Sequence, residues 1–111
     1  MIFTATAVHG AFLIEPERIA DERGFFARVY GRREFQERGL ASEFAHTSIS
    51  WNARRGTLRG LHFQAPAHAE AKLVRCTQGA IWDVAVDLRP DSPTYLRYAA
   101  AELSTDNRQA L

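Results

Sequence analysis

Residues 54–79, RRGTLRGLHFQAPAHAEAKLVRCTQG, hold the densest set of side chains able to do chemistry in this 111-residue chain. His62 offers an imidazole, the side chain most often used to accept a proton in general base chemistry. Lys72 offers an ammonium, which has no lone pair while charged and therefore cannot ligate a metal, but can sit against an oxyanion. Arg59 brings a planar fork that can hold two oxygens of an anion at once. Gln64 brings an amide between them. A base and an oxyanion stabiliser facing each other are what proton removal with charge building on an oxygen requires. His62, His68 and Glu70 together admit a second reading, a metal-dependent site. On its own, a histidine in a strand is more often a structural donor, and a lysine near a strand start is ordinarily solvated.

The elements that would have to position these groups are short strands. Residues 81–88, IWDVAVDL, alternate Trp82, Val84, Val86 and Leu88 with Ile81, Asp83, Ala85 and Asp87, a period of two with one strongly apolar face. Turn chemistry flanks them, Gln78-Gly79 before and Arg89-Pro90-Asp91-Ser92-Pro93 after. Further strands are expected at about 11–15, 25–30, 44–52, 57–64, 72–77 and 95–103. One short helix is expected at 32–38, closed by Gly39 as a C-cap. Many short strands with turns every ten or so residues indicate an all-β barrel or sandwich, a single domain over 1–111. DNRQAL at 106–111 reads as the start of another strand, so a sheet edge is expected there, and unpaired edges invite association. Arg59 and His62, three apart, would face opposite ways in a regular strand, and a bulge at Gly60 would turn both inward.

Composition narrows the function classes. Fourteen basic and thirteen acidic residues leave a net +1, and 46% of the chain is hydrophobic. That balance argues against a nucleic-acid or membrane-surface binder. Arg54, Arg55, Arg59 and Arg75 form no stacking platform with aromatics. Cys76 is the only cysteine, which excludes an internal disulfide framework and suits a reducing, cytoplasmic setting. The opening MIFTATAVHG lacks a secretory signal, and no apolar run approaches the roughly 20 residues of a membrane span.

The spacing of the dense stretch resembles the first metal motif of the cupin superfamily. Five residues separate Gly56 from His62, and six separate Lys72 from Gly79. Gln64 stands in place of the second histidine and Lys72 in place of the glutamate, so an ammonium replaces the metal. With DERGFFARVY (21–30), RGTLRGLHFQ (55–64), AKLVRCTQGAIWDVAVDLRPDSPTY (71–95) and AELSTDN (101–107) in order, the chain resembles the dTDP-4-dehydrorhamnose 3,5-epimerase family.

The resemblance implies a cupin-like antiparallel β-barrel or jelly roll and an epimerase acting on a nucleoside-diphosphate 4-keto-6-deoxy sugar, with no metal or organic cofactor. It implies that His62 removes the protons beside the ketone and Lys72 steadies the enolate. It places Arg23, Phe26 and Arg59 against the substrate, with Gln64 beside them. It also implies a homodimer, in which residues 21–28 reach into the neighbouring subunit. Three departures stand out. His46 and Ser48 replace a glutamine and an asparagine common at the substrate surface, and Arg28 replaces a glutamate, so the sugar or nucleotide accepted is expected to differ. The family's Gly-Phe-Ala-His-Gly segment, its tyrosine acid and its base-orienting aspartate do not occur in 1–111, so the chain is expected to be incomplete relative to the family. Asp83 is the candidate support for the imidazole, with an ordinary core role equally open, and Asp87 reads as structural.

Overall fold

The computed structural model describes all of residues 1–111. Six strands form three antiparallel pairs. β1 (Ile2–Ala5) pairs with β2 (Phe12–Glu15), β3 (Arg18–Asp21) with β4 (Gly24–Ala27), and β5 (Ala80–Val86) with β6 (Tyr98–Ser104). The one α-helix, α1 (Arg32–Gln36), is short, and a single 3-10 turn spans Pro66–His68. The expected all-β class is what forms, and the expected helix forms too. Gly39 adopts φ +67°, the left-handed conformation that favours glycine in a helix stop.

The first two strands are extended sideways by later chain. Ile14 and Ala110 exchange backbone hydrogen bonds of 2.8 and 2.9 Å, and Val74 and Leu111 exchange bonds of 2.9 and 3.0 Å. Residues 110–111 thus lie between β2 and the 74–75 segment, bridged on both sides, so the unpaired edge expected from the DNRQAL sequence does not form at these residues. Around this junction sits the core. Ile14, Phe35 and Ala110 are buried together, with Phe3, Phe12, Tyr30, Leu40 and Leu73 packed against them. Phe35 meets Phe3, Tyr30 and Phe44 edge to face, with ring centroids 5.5, 5.1 and 6.4 Å away, the arrangement that aromatic quadrupoles prefer. Helix α1 exists chiefly to deliver Phe35, since five residues are too few to be stable unpacked.

Several expected elements do not form. Residues 44–52 and 57–64 are irregular, and 72–77 contribute only a bridge at Arg75. Between Ala41 and Leu73 the only backbone–backbone hydrogen bonds are those of the 65–69 turn. Alternating side chains make a strand only when a neighbouring strand supplies the ladder, and here none lies alongside. Ile49 and Phe63 are accordingly 94% and 75% exposed. Conversely, β1 and β3 form where the sequence carries little alternation, because a hairpin partner follows at once.

The β5–β6 pair corrects the expectation about which face is buried. Ile81, Asp83 and Ala85 stand opposite Leu103, Ala101 and Ala99, and this is the covered face, with Leu103 wholly buried. Trp82, Val84 and Val86 lie on the other face with Tyr98, and Trp82 is 70% exposed. Trp51, Phe63 and Tyr95, read as core or interface aromatics with Trp82, are also exposed in this chain.

Candidate active site

Every residue of the sequence-derived site lies at the surface except Asp83. His62 follows Gly60, whose φ is +95°; with no strand over 57–64 the bulge expected at Gly60 does not form, and Arg59 and His62 are both exposed. A Cβ on Gly60 would stand 3.2 Å from His62 Nδ1. Glycine at 60 therefore leaves room for the imidazole as well as permitting the backbone turn. The imidazole makes no side-chain hydrogen bond.

Arg59 is anchored away from the strands. Its Nε donates to Asn52 Oδ1 at 2.6 Å and its Nη2 to the Trp51 carbonyl at 2.9 Å. These two bonds tie the 51–59 loop together, with the Thr57 hydroxyl donating to the Arg54 carbonyl at 2.7 Å inside it. His46 and Ser48 lie on the exposed approach to this loop.

A second group forms around Lys72. Its ammonium is ion-paired with Glu70. Residues two apart in extended chain share a face, which is how the two side chains meet. Gln64, with its amide nitrogen turned inward, donates to the Glu70 carboxylate at 3.1 and 3.3 Å and to the His68 carbonyl at 2.9 Å. Gln64, Glu70 and Lys72 therefore belong to one cluster. Glu70 was weighed only as a metal ligand in the sequence, yet its placement is that of a counter-ion. Two signals for this were legible: its spacing from Lys72, and the fact that Lys72 is the only lysine in the chain, every other basic side chain being arginine. His62, His68 and Glu70 do not converge, and no group of three or more His, Cys, Asp or Glu side chains is placed to hold a metal ion.

Arg23 and Phe26 lie on the β3–β4 hairpin. Arg23 occupies the two-residue turn with Glu22 and grips Asp21, Nη2 to Oδ2 at 2.5 Å, which holds the Asp21 carboxyl below its ordinary range. Phe26 stands opposite Ile19, both exposed. Arg28 faces Glu34 Oε2 at 3.6 Å, so its charge partly serves to offset a carboxylate oxygen that has no other partner.

Asp83 lies on the covered face of β5, and burial raises its carboxyl above the ordinary value. No hydrogen bond joins its carboxyl to His62, so the imidazole support expected of it is not formed. Asp87 is the buried aspartate of the strand and is structural, as expected. Arg89 Nε and Nη2 (2.8 and 2.9 Å), the Ser92 hydroxyl (2.5 Å), the Thr94 hydroxyl (2.7 Å) and the Arg89 backbone N–H (3.1 Å) all donate to it. The Arg89 guanidinium first, then the hydroxyls, hold its carboxyl far below the usual range. Arg89 also donates to the His9 carbonyl at 2.5 Å, and Thr94 accepts from the His9 N–H at 2.9 Å. The cluster joins the 87–94 turn to the 8–10 turn.

The antiparallel strand pairs, with the Gly56–His62 and Lys72–Gly79 spacings beside them, are those of a cupin-like β-protein. The comparisons with known proteins make this specific. The family model of dTDP-4-dehydrorhamnose 3,5-epimerase matches residues 5–111, and the chain belongs to that family. The dTDP-4-dehydrorhamnose 3,5-epimerase of Sinorhizobium fredii is 42% identical over 107 residues, covering 96% of this chain and 55% of that protein. The crystal structure of dTDP-4-dehydrorhamnose 3,5-epimerase from Elizabethkingia anophelis superposes with a TM-score of 0.94 at 42% identity, over 99% of this chain and 60% of that one. A Legionella pneumophila dTDP-6-deoxy-D-glucose-3,5-epimerase, solved in complex with dTDP-4-keto-L-rhamnose, superposes with a TM-score of 0.69 at 34% identity, over 89% of this chain and 52% of that one. The chain thus spans a little over half the length of the relatives it matches.

Proposed function

We propose that the protein bearing this chain is a 3,5-epimerase of a nucleoside-diphosphate 4-keto-6-deoxy sugar. The observation that carries this reading is the family match through residues 5–111, within which the His62 and Lys72 spacings fall. In this reading His62 accepts the proton from the carbon beside the ketone, and charge builds on the keto oxygen. The Lys72 ammonium stabilises that oxygen; a preorganised donor there is worth about 3–4 kcal/mol, or 10²–10³ in rate. Arg59 and Arg23 serve the diphosphate, Phe26 the nucleotide, and Gln64, His46, Ser48 and Arg28 the sugar. The Legionella relative was crystallised with a dTDP-linked keto sugar, which supports the substrate class.

The same reading takes the protein as a cytoplasmic homodimer. A single free cysteine, Cys76, fits a reducing compartment. No helix is long and apolar enough to cross a membrane. The β3–β4 hairpin carries Ile19 and Phe26 side by side in solvent, an apolar edge suited to a second copy.

Incubation of the protein with a dTDP-linked 4-keto-6-deoxyhexose in deuterated water tests the activity. Deuterium is expected at C3 and C5 of the recovered sugar. A protein that binds the nucleotide sugar and incorporates none is a binder, not an epimerase.

A further inference from the structure

We propose that Glu70 is an internal counter-ion, which occupies the Lys72 ammonium in the ligand-free protein and must be displaced before that ammonium can meet an anionic oxygen of the substrate. The inference rests on the epimerase reading for what Lys72 does, and on geometry for what Glu70 does.

Three observations carry it. The Glu70 carboxylate is ion-paired with the Lys72 ammonium, and both groups lie at the surface, 38% and 50% exposed. With its amide nitrogen turned toward them, Gln64 donates to the same carboxylate and to the His68 carbonyl. Finally, Lys72 is the only lysine among fourteen basic residues, and Glu70 thus shields the one ammonium side chain the chain owns.

Magnitudes decide that such a pair can work as a placeholder. An exposed ion pair is worth roughly 0–1 kcal/mol, too little to keep an oxyanion away, yet enough to lower its apparent affinity by up to about fivefold. A desolvated oxyanion that forms opposite Lys72 gains far more than the exposed carboxylate loses. The pair therefore breaks as substrate charge develops. Glu70 acts through Lys72 and is a positioning residue.

The single lysine makes the test direct. Protein grown with lysine labelled at Nζ with ¹⁵N gives one side-chain signal, that of Lys72. Oxalate, whose planar oxyanions imitate an enediolate, is titrated in at constant ionic strength, and the signal is followed in the parent protein and in Glu70→Gln and Glu70→Ala. The midpoint is expected to fall about two- to fivefold in both variants, while Glu70→Asp, which keeps the charge, stays nearer the parent. Equal midpoints in parent and both variants, or weaker binding in the variants, overturn the proposal. Deuterium incorporation is read on the same samples. A parent protein without exchange, in which the midpoints still shift, refutes the epimerase reading and leaves the Glu70–Lys72 competition standing.

Discussion

Two carboxylates in this chain, Asp87 and Glu70, each face a cation two residues away, and they do opposite things. Asp87 is buried and receives donors from Arg89, Ser92 and Thr94, which are in turn tied to the 8–10 turn. Glu70 is exposed, and its partners Lys72 and Gln64 are exposed too. Removing a buried charge's partners leaves it uncompensated and is costly, whereas an exposed pair is nearly neutral. The contrast extends to the segments around them. The turn after β5 is laced with backbone bonds, including Asp87 N–H to Arg97 and Leu96 N–H to Asp87. Residues 41–72 hold almost none. The chain keeps its stability in one place and its reactive side chains in another.

The largest expected effect on the stable side is at the aromatic core. Phe35→Ala should cost about 3–5 kcal/mol, measured by urea unfolding, because the ring meets Phe3, Tyr30 and Phe44 at once. A cost below about 1 kcal/mol would mean that this cluster does not hold the fold.

Asp87→Asn comes next and should lower Tm by about 5–10 °C at pH 7. Its pH signature is specific. The folded carboxyl lies below its ordinary value, so its stabilising contribution is complete above the unfolded value of ~3.9 and is lost as pH falls through and below that range. The gap in Tm between parent and variant should therefore be widest at neutral pH and should shrink from about pH 4 downward. Asp83 has the opposite sign. Burial raises its value, so the fold is penalised as pH rises through the raised value, and Asp83→Asn should remove that penalty above it. A gap that is constant with pH for both variants contradicts the assignment.

The smallest effect on stability sharpens the comparison from the reactive side. Gly60→Ala should cost about 1–2 kcal/mol through its left-handed backbone. It should also move the His62 ring, because the new methyl would stand 3.2 Å from Nδ1. The loss of turnover is expected to exceed what the stability change explains. Full activity in that variant would show that Gly60 does not set the imidazole's place.

The legible part of the molecule follows the same division. β2, β5, β6 and α1 could be read from alternation, turn residues and the Gly39 stop because each has a local partner or a local cap. The structural role of Asp87 was legible from its place beside a turn. The strands expected at 44–52 and 57–64 were misread because alternation reports a side-chain pattern and says nothing about whether a neighbouring strand lies alongside. The burial of Trp82 was misread for a related reason: in a two-stranded pair the face that gets covered is decided by what packs on it, here the side carrying Leu103. The cluster of Gln64, Glu70 and Lys72 was only half visible. Lys72 and Gln64 stood out through the motif, whereas Glu70 needed the geometry to reveal which charge it serves.

In the proposed function the reaction turns on His62 as the base. Parent protein and His62→Asn, incubated with a dTDP-linked 4-keto-6-deoxyhexose in deuterated water, are compared for label at C3 and C5 and for nucleotide affinity. The account predicts at least a 10²-fold fall in the rate of deuterium uptake, with affinity for thymidine diphosphate nearly unchanged. Deuterium uptake by the variant at the parent's rate would remove His62 from the proton transfer and contradict the account.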